Sequence, residues 1–352
     1  MKNITTITTP MQKDDFVLVT GITGYLASWI AKYLLDEGYR VRGTVRSLTD
    51  VDRINTMRAL LPGAEFVEAD LRNAAGWENA VAGCQWVFHV ASPQAVKSET
   101  DRTGGAVQGT EHILTAAFNS GSVRKVVVTS SEAAIAYGHP ATKHRFDESD
   151  WTVLDGPGVI DYFRSKTLAE KLAWDLARDE RRNPHRVALS TVNPGLILGP
   201  AMVPWGRFSI ELLKNLAEGK MPMLPDMNMA VVDVRDCARM HIAIMQDRSA
   251  DGKRHLSFGA SGKFVDLARA VRDGYSDRGF NPSTRIAPQC VLWVMKFFSG
   301  DVASIYNHTG HEKVYVQQSP NVYRYRHTDL RQIVRDSMDQ MLKNGWLTIK
   351  TR

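Results

Sequence analysis

Six short β-rich runs separated by helical patterns constrain this chain more than any other feature of it. The runs are Phe16–Thr20, Arg40–Val45, Glu65–Glu68, Trp86–Val90, Lys125–Ser130 and Val187–Val192. Strands that alternate with helices do not pair as hairpins, so this order predicts an α/β fold with a parallel sheet and crossover helices. Between the first two runs Leu26, Ile30 and Leu34 recur every fourth residue, with Trp29 and Tyr33 beside them. Gly38 then stands where a helix C-terminal glycine belongs, so one βαβ unit opens the chain. After Val192 the rhythm fails, and stretches rich in Pro, Gly and Met over 199–204 and 219–229 interrupt it. The expected architecture is a doubly wound parallel sheet, mainly residues 14–195, with a smaller interleaved substrate domain, mainly 196–352, from which about 230–246 return to the first.

Composition narrows the class. At 43% hydrophobic and 23% charged the chain has the balance of a globular protein. Its net charge of +6, from 44 basic and 38 acidic residues, is scattered, which gives no support to a nucleic-acid or membrane-surface role. Three distant cysteines, Cys84, Cys237 and Cys290, offer neither a disulfide framework nor a zinc spacing. His308 and His311 have no Cys or carboxylate pair arranged beside them, so no metal is expected. Met1 to Lys13 lacks the apolar core of a secretory signal, and the expected location is cytoplasmic. The apolar stretch Val291–Phe298, interrupted by Lys296, is too short to cross a bilayer, and a buried helix is expected there.

The chemistry starts at Thr20-Gly21-Ile22-Thr23-Gly24-Tyr25-Leu26-Ala27, which follows the first strand and opens the first helix. In that context Gly21 serves a tight turn and Gly24 lets the backbone approach a pyrophosphate at a helix N-terminus, as in a Rossmann dinucleotide site. Ala27 takes the place of the third glycine. The second strand ends Thr44-Val45-Arg46-Ser47, where an NAD site usually carries Asp or Glu. Arg46, with Arg53 further on, suits the 2′-phosphate of NADP instead.

Tyr162 and Lys166 are four residues apart in a helical pattern and share one face. An ammonium beside a phenol is expected to lower the tyrosine pKa from about 10 toward working pH, as an acid–base catalyst requires. Ser131, at the carboxyl end of the fifth strand, can face the same cleft, because ligands in open parallel sheets bind outside those ends. The lesser alternative is a helix or turn cap. His89 lies inside the apolar run Val87–Ala91 and reads as a strand residue; Asp147 and Asp233 read as loop anchors or caps.

Together these stretches resemble the extended short-chain dehydrogenase/reductases, and among them the dihydroflavonol reductase-like group. The resemblance runs from about Phe16 to about Met245 and adds Ala69-Asp70-Leu71, Val87–Pro93, Asp147–Trp151, Tyr162-Phe163-x-Ser165-Lys166-Thr167-Leu168-Ala169-Glu170, Asn193-Pro194-Gly195-x-x-Leu198-Gly199-Pro200 and Val232–Asp236. It implies Ser131, Tyr162 and Lys166 as catalytic triad. It also implies that NADP(H) is held by Gly21, Thr23, Gly24, Tyr25, Leu26, Arg46 and Arg53, with Asp70 and Leu71 at the adenine. Val90, Ala91 and Ser92 then lie along the cofactor, and Pro194, Ile197 and Ser209 near the nicotinamide.

Departures from the group narrow the substrate. Cinnamoyl-CoA reductases carry Asn-Trp before the tyrosine, where this chain has Ile160-Asp161, and plant dihydroflavonol reductases carry an asparagine where this chain has Ala136. Glu132 is unlike the small residue usual after the serine. The expected activity is interconversion of a neutral, largely apolar or aromatic aldehyde or ketone and its alcohol, by a monomer or homodimer. Met202, Trp205, Phe208, Met221, Met223, Met227 and Met229 are expected as its pliable substrate wall. Two rivals remain: a sugar-nucleotide epimerase or dehydratase with retained NAD, and a non-enzymatic NADP sensor.

Overall fold

The computed structural model describes residues 11–93, 102–203, 205, 208–295, 300–317 and 327–348. The first half runs β1 (Phe16–Val19), α1 (Tyr25–Asp36), β2 (Arg40–Val45), α2 (Val51–Leu60), β3 (Glu65–Glu68), α3 (Trp77–Val81) and β4 (Trp86–His89). It continues through α4 (Arg102–Asn119), β5 (Lys125–Thr129), β6 (Arg145–Phe146), α5 (Asp161–Arg178) and β7 (Ala188–Pro194). The second half runs β8 (Leu196–Leu198), α6 (Phe208–Ala217), β9 (Asn228–Asp233), α7 (Val234–Gln246), β10 (Arg254–Ser257) and β11 (Ala260–Lys263). Then follow α8 (Phe264–Tyr275), α9 (Gln289–Met295), α10 (Gly300–His308), β12 (Val314–Tyr315) and α11 (Leu330–Lys343).

A seven-stranded parallel sheet in the order β10-β7-β5-β4-β1-β2-β3 forms the centre. All six expected strands belong to it. The seventh, β10, gives no apolar run in the sequence, because Arg254 and His255 occupy half of it. Strands covered on both faces must be apolar on both, and β1, β4 and β7 are buried along their whole length. In β1, Val17 and Val19 enter one core with α1, α7, α8 and α11, while Phe16 and Leu18 enter the other with α3, α4 and α5. The strand order reverses between β1 and β4, which puts a ligand crevice at the carboxyl ends of those strands.

Beyond Pro194 the chain builds a three-stranded sheet, β11-β9-β8, and β12 pairs with β6 in a small parallel ladder. It also returns to the first unit: α7 lies against α1, and β10 closes the edge of the large sheet beside β7. The Val291–Phe298 stretch corrects an expectation. Over its described part, α9, Leu292 is buried but Trp293 and Val294 are 51% and 50% exposed, because so short a helix buries only one narrow side. Residues 296–298 lie outside the described residues. Among the described residues no helix is long and apolar enough to cross a membrane.

Candidate active site

The phosphate loop owes its shape to backbone and hydroxyl contacts. Gly24 stands at the N-terminus of α1 in extended conformation, with no side chain capping the helix. Its first N–H groups are thereby left for an anion. Gly21 adopts φ +63, and a Cβ on it would lie 3.1 Å from the Cβ of Ala91, so a side chain there would be strained by the turn and crowded by its neighbour. Its N–H donates to Thr44 Oγ1 at 2.9 Å, and Thr20 Oγ1 accepts from the N–H groups of Val90 and Ala91 at 3.0 and 2.9 Å. Ser92 follows, exposed. Tyr25 and Leu26 turn their side chains into the protein: Leu26 joins the main core, and the Tyr25 hydroxyl donates to the Gly199 carbonyl at 2.8 Å. Ala27 is 1% exposed against the core. An uncapped helix end and a cradle that a Cβ would crowd fit a dinucleotide pyrophosphate.

Arg46 is exposed just past β2 and close enough to Asp70 for its charge to act there. The Asp70 carboxyl is held below its ordinary value chiefly by the guanidinium of Arg72, 2.8 Å away, with Arg46 a smaller cause. Leu71 accepts from His112 Nδ1 through its carbonyl. Glu68 takes hydrogen bonds from Ser47 Oγ and the Leu48 N–H, shaping the turn between Arg46 and α2. On α2, Arg53 has its Nε 3.6 Å from Asp50, and its guanidinium lies over the ring of Trp205, 4.8 Å from the centroid.

Ser131 follows β5 with extended backbone and is 7% exposed. Its Oγ accepts from the Ala133 N–H at 3.1 Å, capping a short 3₁₀ turn, and its hydroxyl also acts on Tyr162. Tyr162 and Lys166 lie one turn apart on α5. Tyr162 is 47% exposed, an outlier in a group otherwise sunk into the protein. Its pKa departs from expectation: desolvation raises it, the Ser131 hydroxyl lowers it and the Glu132 carboxylate raises it again. The reason is that the surrounding protein penalises the phenolate. Burial pushes Lys166 down to about 8, against the pull of Glu170. Lys166 lines a small cavity with His89, Ser92, Thr110, Ser130 and Glu170. His89 Nδ1 is 3.2 Å from Thr20 Oγ1 and its Nε2 3.4 Å from Thr110 Oγ1; burial depresses it to about 3, so it is a neutral brace. Asp147 takes the N–H and hydroxyl of Ser149, and Asp233 caps α7 while pairing with Arg235.

Sequence reasoning missed what lies behind the triad. Glu170, 1% exposed, pairs with Arg254 at 2.6 Å and accepts from Ser130 Oγ, Asn193 Nδ2 and Thr191 Oγ1. Asn193 Nδ2 also donates to the Ser131 carbonyl, and the Arg254 guanidinium lies 3.7 Å over the Trp151 ring while donating to the Glu148 carbonyl. Arg254 had no local signal, since only the return of β10 brings it beside α5. Glu132 was marked only by being unusual after a serine. Its Oε1 accepts from the Tyr137 hydroxyl at 2.9 Å. The Tyr137 ring stacks on Phe163 at 3.8 Å, takes the edge of His308 at 5.0 Å and carries the Lys313 ammonium at 3.7 Å. Lys313 is 8% exposed, and burial lowers it to about 8 with Glu132 opposing.

Of the expected substrate wall, Met227 is half-buried. Met202, Trp205, Met221 and Met229 pack half-buried against the main core, and Met223 is exposed. The Phe208 side chain lies outside the described residues. Aromatic neighbours of Tyr162 come from Phe163, with Tyr137 and His308 behind it. Pro194 ends β7 opposite Ser257, Ile197 sits in β8 opposite Val232, and Ser209 lies half-buried in the first turn of α6.

Residues 17–259 match the NAD dependent epimerase/dehydratase family. A cinnamoyl-CoA reductase of Medicago truncatula is 32% identical over 287 residues, covering 78% of this chain and 84% of that protein. Vestitone reductase from alfalfa superposes with a TM-score of 0.73 at 27% identity, covering 94% of this chain and 99% of that one. The yeast methylglyoxal/isovaleraldehyde reductase Gre2, complexed with NADPH, shares the fold with a TM-score of 0.78 at 23% identity, over 95% of this chain and 100% of that one.

Proposed function

Because this chain belongs to the NAD dependent epimerase/dehydratase family, within the extended short-chain dehydrogenase/reductases, we propose that it is an NADP-dependent oxidoreductase interconverting a neutral, largely apolar or aromatic aldehyde or ketone and its alcohol. One observation carries the reading: a half-exposed phenol, Tyr162, meets the Ser131 hydroxyl and stands one helical turn from Lys166 on α5. When bound, the dinucleotide supplies hydride from its nicotinamide C4. The backbone N–H groups of Thr23, Tyr25 and Leu26 at the uncapped start of α1 would hold its pyrophosphate, with Gly21 and Gly24 giving the loop its turn and close approach, and Arg46 and Arg53 would hold its 2′-phosphate.

The chain's own groups do the proton work. Ser131 donates a hydrogen bond to the carbonyl oxygen and orients it. Tyr162, kept protonated by desolvation, gives its proton to that oxygen as the carbonyl carbon gains hydride. Lys166, half-buried one turn away, favours the phenolate left behind, so the site also takes a proton back when an alcohol is oxidised. Phe163 and the Tyr137 ring suit an aromatic or apolar group beside Tyr162. Ile160-Asp161 and Ala136 depart from the coenzyme A thioester and flavonoid reductases. Steady-state comparison with NADPH tests the reading: uncharged aryl ketones and aldehydes are expected to give higher kcat/KM than anionic keto acids or sugar nucleotides, and the reverse order would overturn it.

A further inference from the structure

Trp205 joins two parts of the cofactor groove that come from different elements. Its indole Nε1 donates to the carbonyl of Thr23 at 2.9 Å, inside the phosphate loop. Its ring lies under the Arg53 guanidinium, on α2. Anions at a helix N-terminus take N–H groups and not carbonyls, so the bond to Thr23 steadies the loop without competing for a phosphate. Arg53 is also tethered to Asp50, which is half exposed and already accepts the Arg53 N–H to cap α2. A guanidinium resting on an indole keeps its in-plane donors free and gives up less motion when it meets a phosphate. The alternative, an indole that only fills the edge of the core it packs against, would treat both dinucleotides alike.

We propose that Trp205 is a cofactor-selectivity residue, a clamp that steadies the phosphate loop through Thr23 and holds Arg53 where the adenosine 2′-phosphate of NADPH arrives. The proposal rests on reading the chain as NADP-dependent, and its test separates the two. Dissociation constants for NADPH and NADH are measured by calorimetric titration on the folded wild type, Trp205→Ala, Trp205→Phe and Arg53→Ala. A wild type that binds both equally would remove the NADP reading. Given a wild-type preference, Trp205→Ala is expected to weaken NADPH roughly 5–30-fold while NADH changes much less, the span of a partly to fully desolvated cation–π contact. Trp205→Phe keeps a ring for Arg53 and loses the bond to Thr23, so it should retain most of the preference while weakening both cofactors. In an Arg53→Ala background Trp205→Ala should leave the ratio unmoved. Equal weakening of the two cofactors by Trp205→Ala, or none, overturns the clamp. Trp205→Leu, which keeps apolar bulk against the core, decides by the same ratio if the alanine variant does not fold.

Discussion

The phosphate loop and the Tyr162 centre open on the same edge of one sheet and are built in opposite ways. The loop is a single run, Thr20 to Leu26, whose working groups are backbone N–H donors at an uncapped helix end. Its tolerance is set by space, as the contact between Gly21 and Ala91 shows. The Tyr162 centre draws side chains from the end of β5, from α5, β7 and β10, and from the α10–β12 stretch. Its tolerance is set by charge, since Lys166, Glu170, Arg254 and Lys313 are all wholly or partly withdrawn from water. A helix dipole and a glycine turn need only neighbours in sequence, whereas a buried ionic network needs partners that the fold alone brings together.

The most severe way to break this contrast is Tyr162→Phe, which removes one hydroxyl and leaves the loop alone. Turnover should fall by roughly 10²–10⁴, while calorimetric NADPH affinity stays near that of the wild type. Near-normal turnover would mean that the centre does not work through this side chain. Glu170→Ala comes next and tests the network. Stripping one partner from a buried ion pair costs about 3–5 kcal/mol, read as a drop in the denaturant midpoint. Replacing Arg254 by Met in the same chain should recover part of that loss, because the orphaned charge is gone.

Two smaller effects sharpen the comparison. Arg46→Ala should raise the Kd for NADPH by about 10-fold or more, the worth of a charge-assisted hydrogen bond to phosphate, and leave NADH nearly unchanged. Equal losses for the two cofactors would remove Arg46 from the 2′-phosphate site. Glu132→Gln should move a pH profile. The Glu132 carboxylate raises the Tyr162 pKa, so neutralising it lowers that pKa. Reduction needs the protonated phenol and declines as pH rises through its pKa. The alkaline limb of kcat for reduction should therefore shift to lower pH in the variant, and an unmoved limb would show that Glu132 acts only through its bond to Tyr137.

Parallel strands covered on both faces must read as apolar runs, which made β1, β4, β5 and β7 legible, whereas β2 and β3, nearer the sheet edge and partly exposed, were legible from their place in the strand–helix alternation. The phosphate loop was legible because glycine is the residue that φ +63 beside a crowding neighbour demands. The proposed triad of Ser131, Tyr162 and Lys166 was marked in the sequence by spacing, order along the chain and resemblance. Their protonation was not. A lysine four residues away suggested a lowered tyrosine pKa, but desolvation by groups distant in sequence dominates and raises it. Trp205 was expected only as part of a substrate wall, and nothing in the sequence marked its contacts with Thr23 and Arg53. The helix at 291–295 read as buried, and half of its large side chains face water. The sequence by itself determined what depends on neighbours along the chain: periodicity, turn conformation and the residue types of the triad. The tertiary structure alone decided which charges pair, as Glu170 with Arg254, and which groups lose water, as Lys166 and Lys313, because burial and Coulomb energies depend on distances that only the closed fold sets.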